Sequence, residues 1–394
     1  MDVNQASALL GGLSPARFMR RHWQKKPLLV RQAWPGVQPP LARAALFDLA
    51  GNEGVESRLV EQRGQSGSDW KLRHGPLPRR ALPPVSRPGW TLLVQGLDLH
   101  VPAAHAMLSQ FAFLPQVRLD DLMLSWASDG GGVGPHLDSY DVFLVQVQGQ
   151  RRWRVGPCLD AASAAWQTGV PLKILRDFQP LHDWVLDAGD MLYLPPGWGH
   201  DGVAVGGDCM TCSIGFRAPA ANALAAELLQ RLADVDDGSE NHDGNDSASA
   251  AQTPTQRLYR DASQPATATP AAVPVALQDF ARRAVQRLLA QPLALERALG
   301  EVLTEPKPQV WFNASPAATA QQGVRLAAAT RMAYDDRHIY INGESFIAAG
   351  RDARLIRVLA DSRSLTAADC KRLSAQAALL LQDWLDSGWL LAQS

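Results

Sequence analysis

Two segments restrict what this chain can become: Gly130-Gly-Gly-Val-Gly-Pro-His136-Leu-Asp138, and Gly189-Asp190-Met-Leu-Tyr-Leu-Pro195-Pro196-Gly197-Trp198-Gly-His200. In an extended strand residues i and i+2 face the same way, so His136 and Asp138 can grip one ion while Leu137 turns from it. The run Asp141-Val-Phe-Leu-Val-Gln-Val-Gln that follows is rich in β-branched and aromatic residues, which places the pair at the opening of a strand. In the second segment Met191-Leu-Tyr-Leu reads as a short strand halted by Pro195-Pro196-Gly197, because proline has no amide proton for a ladder. A new strand is expected from Gly202. Donors far apart in sequence but alike in setting suit a jelly roll, whose antiparallel strands bring distant segments to one mouth. Two imidazoles and one carboxylate leave a face of an octahedral iron(II) open to chemistry, which points to a non-haem iron oxygenase. A lone His-x-Asp is common in strands; the second segment is what gives this one weight. The other histidines, His22, His74, His100, His105, His182, His242 and His338, lack such a setting and read as surface or structural residues.

Arg151 supplies a third sign. In the expected hairpin Val145–Val155, alternation puts Arg151, Trp153 and Val155 on one face and Arg152 and Arg154 on the other. An arginine that shares an inward face with Trp and Val is costly to desolvate unless an anion meets it, and its planar fork matches a carboxylate. A dicarboxylate cosubstrate answers that need; so would a rim position or an internal Asp or Glu. The sequence shows no nucleophile and base pair of the kind acyl transfer requires, so no catalytic residue is expected beyond the metal centre.

The runs His136-Leu-Asp138-Ser-Tyr-Asp-Val-Phe, Gly149-Gln-Arg151-Arg-Trp-Arg-Val-Gly and Leu194-Pro-Pro-Gly-Trp-Gly-His200 closely resemble the bacterial JmjC-type ribosomal oxygenases. The early Phe18-Met-Arg-Arg-His-Trp23-Gln-Lys-Lys-Pro27-Leu-Leu-Val resembles that family's opening helix and first strand, and Ser213-Ile-Gly-Phe-Arg217-Ala-Pro the close of its catalytic domain. The resemblance spans nearly the whole chain. It implies an α+β protein: a double-stranded β-helix (cupin) catalytic domain, a helical dimerisation domain, and a C-terminal winged helix. It implies His136, Asp138 and His200 as ligands of iron(II), and Arg151 as the seat of the distal carboxylate of 2-oxoglutarate, with dioxygen as the second cosubstrate. Ser125 falls where relatives carry a polar cosubstrate contact. The activity implied is hydroxylation of an arginine side chain, at its β-carbon, in a large-subunit ribosomal protein. A histidyl hydroxylase and a non-catalytic anion-binding cupin regulator are the alternatives. A substrate guanidinium needs a carboxylate or aromatic face near the mouth; Asp129, before the glycine run, is the candidate, a solvated turn residue is its other reading, and Tyr140 and Asp141 stay open, while the glycines allow close backbone approach and also permit a mobile loop.

The chain has 394 residues, 46% of them hydrophobic, enough for two or three domains. Lys and Arg number 38 against 39 Asp and Glu, which gives no general pull toward nucleic acid or membranes. The N-terminus lacks the look of a signal peptide and no stretch is apolar enough to span a bilayer, so a cytoplasmic location is expected. Four scattered cysteines do not make a disulfide scaffold, and Cys209-Met-Thr-Cys212 reads as packing. The expected domains are 1–217, with its core from about 90, then 218–300 with a flexible insert at 235–274, then 301–394. A helix is expected after Pro219 and another over Val275–Leu299, followed by short strands Val324–Ala327 and His338–Ile341 joined across Tyr334-Asp-Asp-Arg. Ten basic residues between 301 and 394 meet ten acidic ones, so this last domain reads as a scaffold or protein contact, without direct DNA binding.

Overall fold

The computed structural model describes residues 2–63, 69–236, 258–262, 264–308, 310–314, 319 and 322–393. It falls into two compact units, Met1–Ala218 and Pro219–Ser394.

In the first unit the alternation of apolar residues is satisfied on both faces of one large antiparallel sheet. Its strands are β1 (Leu28–Val30), β2 (Ser57–Arg63), β3 (Asp69–His74), β4 (Trp90–Val94), β5 (Leu119–Ala127), β6 (Asp141–Cys158), β7 (His182–Leu186), β8 (Met191–Leu194) and β9 (Trp198–Phe216). They run in the order β1-β8-β6-β9-β5-β4-β2-β3, with β7 on β6. Along β6, Phe143, Val145 and Val147 enter the main core while Val142, Leu144, Trp153 and Val155 enter a second cluster on the other side. Burial on both sides explains why this strand reads as a nearly unbroken apolar run.

The main core is capped by the N-terminal helix Pro15–Arg21, whose start is fixed by proline at its first turn and by Ser14, which accepts from the amide of Arg17. The helix delivers Phe18, fully buried, against Phe143 and Tyr193. Replacing such a side chain by alanine costs about 3–5 kcal/mol. Asp141, also fully buried, ties the same region to the start of β6. It accepts from Tyr193 Oη at 2.6 Å, Gln24 Nε2 at 3.0 Å and Arg118 Nη2 at 3.3 Å. Three donors meet the desolvation of one carboxylate, three residues after Asp138.

Three expectations about this unit need correction. No hairpin turns at Gly149: β6 runs straight through, and the extra residues are absorbed as bulges against β9, with Gly149 at φ +63°. Arg151 nevertheless points inward, since the bulge precedes it. The strand of His200 begins earlier than Gly202, at Trp198. The Gly130–Gly132 run is no loose loop. Gly130 donates to Ala204 O, Gly131 to Ser128 O, and Ala204 N to Gly131 O. A Cβ on Gly131 would lie 2.4 Å from Trp90 O, and one on Gly132 2.6 Å from Gly202 O. These glycines let two backbones pass at a distance that side chains forbid.

In the second unit, helices Ala221–Asp236, Val275–Ala290 and Ala294–Thr304 share a small core of Leu232, Ala294 and Ala298. The single helix expected over Val275–Leu299 is broken at Gln291-Pro292-Leu293, where Leu293 adopts φ +60°. Proline cannot continue the hydrogen-bond ladder. The winged helix is present, with helices Gly350–Ser362 and Ala375–Asp386. Its strand pairing differs from expectation. The turn at 335–337 joins Met332–Tyr334 to His338–Ile341, and Val324–Leu326 pairs with Ser364–Leu365 and Leu390–Ala392 in a separate sheet. Of the insert expected at 235–274, residues 237–257 and 263 lie outside the described residues; Tyr259 makes an edge contact with Phe280 at 5.6 Å. Among the described residues no helix is long and apolar enough to cross a membrane.

Candidate metal centre

His136 does not sit in a regular strand but in an isolated bridge to His200. The His136 amide donates to His200 O at 2.9 Å, and the His200 amide returns to His136 O at 3.0 Å. That bridge forces the two imidazoles side by side, 4.2 Å between centroids. Asp138 is held by its own carbonyl, which accepts from Gly197 N at 2.8 Å, so the Pro-Pro-Gly turn and the His-x-Asp segment are clasped together. The carboxylate lies 3.4 Å from His200 Nε2 and 3.9 Å from His136 Nε2. One donor atom from each residue falls within 4.8 Å of the others, the single such group among the described residues.

The tautomers fit a metal. His136 Nδ1 lies 2.8 Å from Gly134 O and His200 Nδ1 2.9 Å from Trp198 O, so each Nδ1 donates its proton to a carbonyl and each Nε2 is the nitrogen left to face Asp138 and a metal. Burial works against ionisation of Asp138, but the two imidazoles and the Tyr140 hydroxyl outweigh it and hold the carboxyl at about 2. Burial and the neighbouring His200 push the His136 imidazole below its ordinary value. For His200 burial acts the same way, yet the hydrogen bond and charge of Asp138 reverse the outcome and raise it.

The three donors face a cavity of about 220 Å³. Arg151 lines it, with 6% of the residue exposed, its guanidinium over the Trp153 ring at 5.6 Å. Its Nε and Nη2 are buried and have no hydrogen-bond partner among the described residues. A buried cation with unmet donors is unfavourable unless an anion completes it, and a carboxylate matches the fork. Ser125, buried on β5, also lines the cavity, and its Oγ reaches Thr211 O at 3.3 Å. Asp129 does not line it: the residue is exposed on the turn after β5, where its carboxylate accepts from Gly207 N at 3.2 Å. Sequence reasoning missed Arg58, Lys173 and Ser213, all lining residues, and the bond from Tyr140 to Asp138. Alternation in β2 could have flagged Arg58, which shares the cavity side with Val60 while Leu59 enters the core. Cys209 and Cys212 are free, buried and in separate clusters, as packing residues would be.

A jelly roll with two imidazoles, one carboxylate and an unmatched inward guanidinium is the arrangement of a JmjC-domain oxygenase. Residues 106–224 match the JmjC domain, and residues 279–391 match the ROXA-like winged helix. The chain belongs to the JmjC-type ribosomal oxygenases. It is 33% identical over 362 residues to the ribosomal protein uL16 3-hydroxylase of Escherichia coli strain K12, covering 89% of each protein. It is 40% identical over 208 residues, about half of each chain, to a probable ribosomal oxygenase of Haemophilus influenzae. The solved structure of YcfD, a ribosomal oxygenase from Escherichia coli in complex with cobalt and 2-oxoglutarate, superposes with a TM-score of 0.77 at 28% identity over 97% of this chain and 99% of that one. Enzymes of this family use iron(II), 2-oxoglutarate and dioxygen, and the donor set and the unpaired guanidinium described above fit that requirement.

Proposed function

We propose that this protein is an iron(II)- and 2-oxoglutarate-dependent hydroxylase of the large-subunit ribosomal protein uL16, acting on the β-carbon of an arginine side chain. The observation that carries the reading is the buried guanidinium of Arg151, with two unmet donors, on the same cavity as a three-donor metal cluster. The name of the Escherichia coli relative supports uL16 as the substrate.

In this reading His136 and His200 hold the metal through Nε2 and Asp138 through its carboxylate, and Arg151 holds the distal carboxylate of 2-oxoglutarate. When bound, the metal supplies oxidative chemistry: 2-oxoglutarate and dioxygen become succinate and carbon dioxide, and one oxygen atom enters a C–H bond of the substrate. The chain's own residues bind and orient. The carbonyls of Gly134 and Trp198 fix the imidazoles, and Leu93, Val142 and Leu144 give the cavity apolar walls that exclude water. No side chain needs to move a proton at the reacting carbon. Ser125 is assigned to the cosubstrate, and Asp129 to a substrate segment running past the mouth, since it stands outside the lining.

The domain assignment follows the same reading: 1–217 catalytic, 218–300 dimerising, 301–394 a winged-helix scaffold. The protein works in the cytoplasm as a homodimer without direct DNA binding. Val275, Val285 and Leu289, on one helix, are 45–71% exposed, which suits a face that a second copy covers. Intact-mass and peptide-level comparison of ribosomal proteins from cells with and without the gene tests the function. A one-oxygen gain on an arginine of uL16 is expected; an unmodified uL16 beside a modified different protein would end the assignment.

A further inference from the structure

The cavity holds a second arginine that the scheme above leaves without a task. Arg58, on β2, lines the space together with Arg151, Tyr140 and the three metal-facing donors. Its Nε is buried with no hydrogen-bond partner among the described residues, and its Nη2 reaches the Met123 thioether at 4.0 Å, a weak contact. Its charge acts on Tyr140, whose hydroxyl bonds Asp138. Arg58 therefore lines the same cavity as the Asp138 carboxylate.

Charge decides what Arg58 awaits. In the proposed complex two positive charges of the metal and one of Arg151 are balanced by Asp138 and by the two carboxylates of 2-oxoglutarate. Those charges cancel and both cosubstrate carboxylates are engaged, which leaves Arg58 and Lys173 as the further cations of the lining. The buried Nε of Arg58 still lacks an acceptor, and an oxygen of a substrate peptide entering the cavity would supply one. A target arginine cannot place its own guanidinium against Arg58, so the complement is an oxygen.

We propose that Arg58 anchors the substrate: on the Tyr140 side of the metal centre its guanidinium holds an oxygen acceptor of the bound peptide, a main-chain carbonyl or a neighbouring carboxylate. The inference rests on the hydroxylase reading, and it makes Arg58 a specificity determinant for the bound peptide.

The test is steady-state succinate formation by the full-length iron-loaded protein, with a uL16 peptide and 2-oxoglutarate varied in turn, for the wild type, Arg58→Met and Arg58→Lys. Arg58→Met is expected to raise the KM for peptide at least tenfold and to shift the KM for 2-oxoglutarate less than twofold. Arg58→Lys keeps the charge but loses the fork and should recover part of the loss. If Arg58→Met melts below the assay temperature, Arg58→Lys alone carries the comparison, with a threefold or greater rise in peptide KM expected. A rise in the KM for 2-oxoglutarate with peptide KM unmoved, or no change in either, overturns the proposal. Turnover of the peptide by the wild type is the separate check on the hydroxylase reading. The ratio of variant to wild type reads Arg58 alone.

Discussion

Replacing Arg151 by Met should separate stability from function in a way few buried substitutions do. Truncating a buried charged residue normally costs several kcal/mol because a partner is stranded. Here no partner is stranded, since Nε and Nη2 of Arg151 have none among the described residues, and Met refills much of the space over Trp153. Without cosubstrate the variant should therefore melt at or above the wild type. The cosubstrate complex tells the opposite story. Two charge-assisted hydrogen bonds worth about 1.5 kcal/mol each at the low end are lost, about 3 kcal/mol together. At about 1.4 kcal/mol per decade that is about a 100-fold rise in the 2-oxoglutarate requirement. Thermal melts with and without 2-oxoglutarate, using Mn(II) to prevent turnover, together with KM measurements, read both arms. A variant that melts well below the wild type when cosubstrate is absent, yet keeps its 2-oxoglutarate dependence, would refute the reasoning. Arg151 would then be a structural residue with its partners met.

Alanine at His136, Asp138 or His200 should abolish succinate formation and remove metal from the purified protein; full turnover in any of the three would end the ligand assignment. Metal affinity should fall as pH falls. A bound ion requires deprotonated imidazoles, and the raised value of His200 makes its proton compete at higher pH than that of His136, whose value is lowered. Titrating Mn(II) binding between about pH 5.5 and 8 should give a loss approaching tenfold per unit below the His200 value, and a flat profile would contradict it. Gly131→Ala puts a Cβ 2.4 Å from Trp90 O, so the melting temperature should drop by about 3–10 °C, whereas a mobile loop would tolerate it unchanged. Asp at Val285 and Leu289 together should convert a dimer to a monomer by light scattering.

The convergence of His136, Asp138 and His200 was legible because it is written in short local patterns: His136-x-Asp138, and a Pro-Pro-Gly turn ahead of His200. Arg151 was legible for a different reason. Alternation with Trp153 and Val155 survives the bulge at Gly149, even though the hairpin expected there does not exist. Pairing across long sequence distances was not legible. Nothing local says that Val324 pairs with Leu365 and Leu390, or that Arg58 on β2 reaches a cavity whose ligands lie beyond residue 130. Glycine patterns were ambiguous in the same way. A run of three glycines is compatible with mobility and with tight backbone packing alike, and only the carbonyls of Trp90 and Gly202 distinguish the two.

The pairing of β6 with β9 sets Arg151 opposite Ala204 and Val155 opposite His200. In the proposed reading the anion seat and a metal donor thus lie four rungs apart on a shared ladder, about 13 Å along the strands at the usual rise per residue. Backbone hydrogen bonds fix that spacing more firmly than any side chain could, so under the proposed function the ladder acts as a ruler for the length of the keto diacid. A homologue one methylene shorter or longer would meet either the metal or the guanidinium in good geometry, but not both.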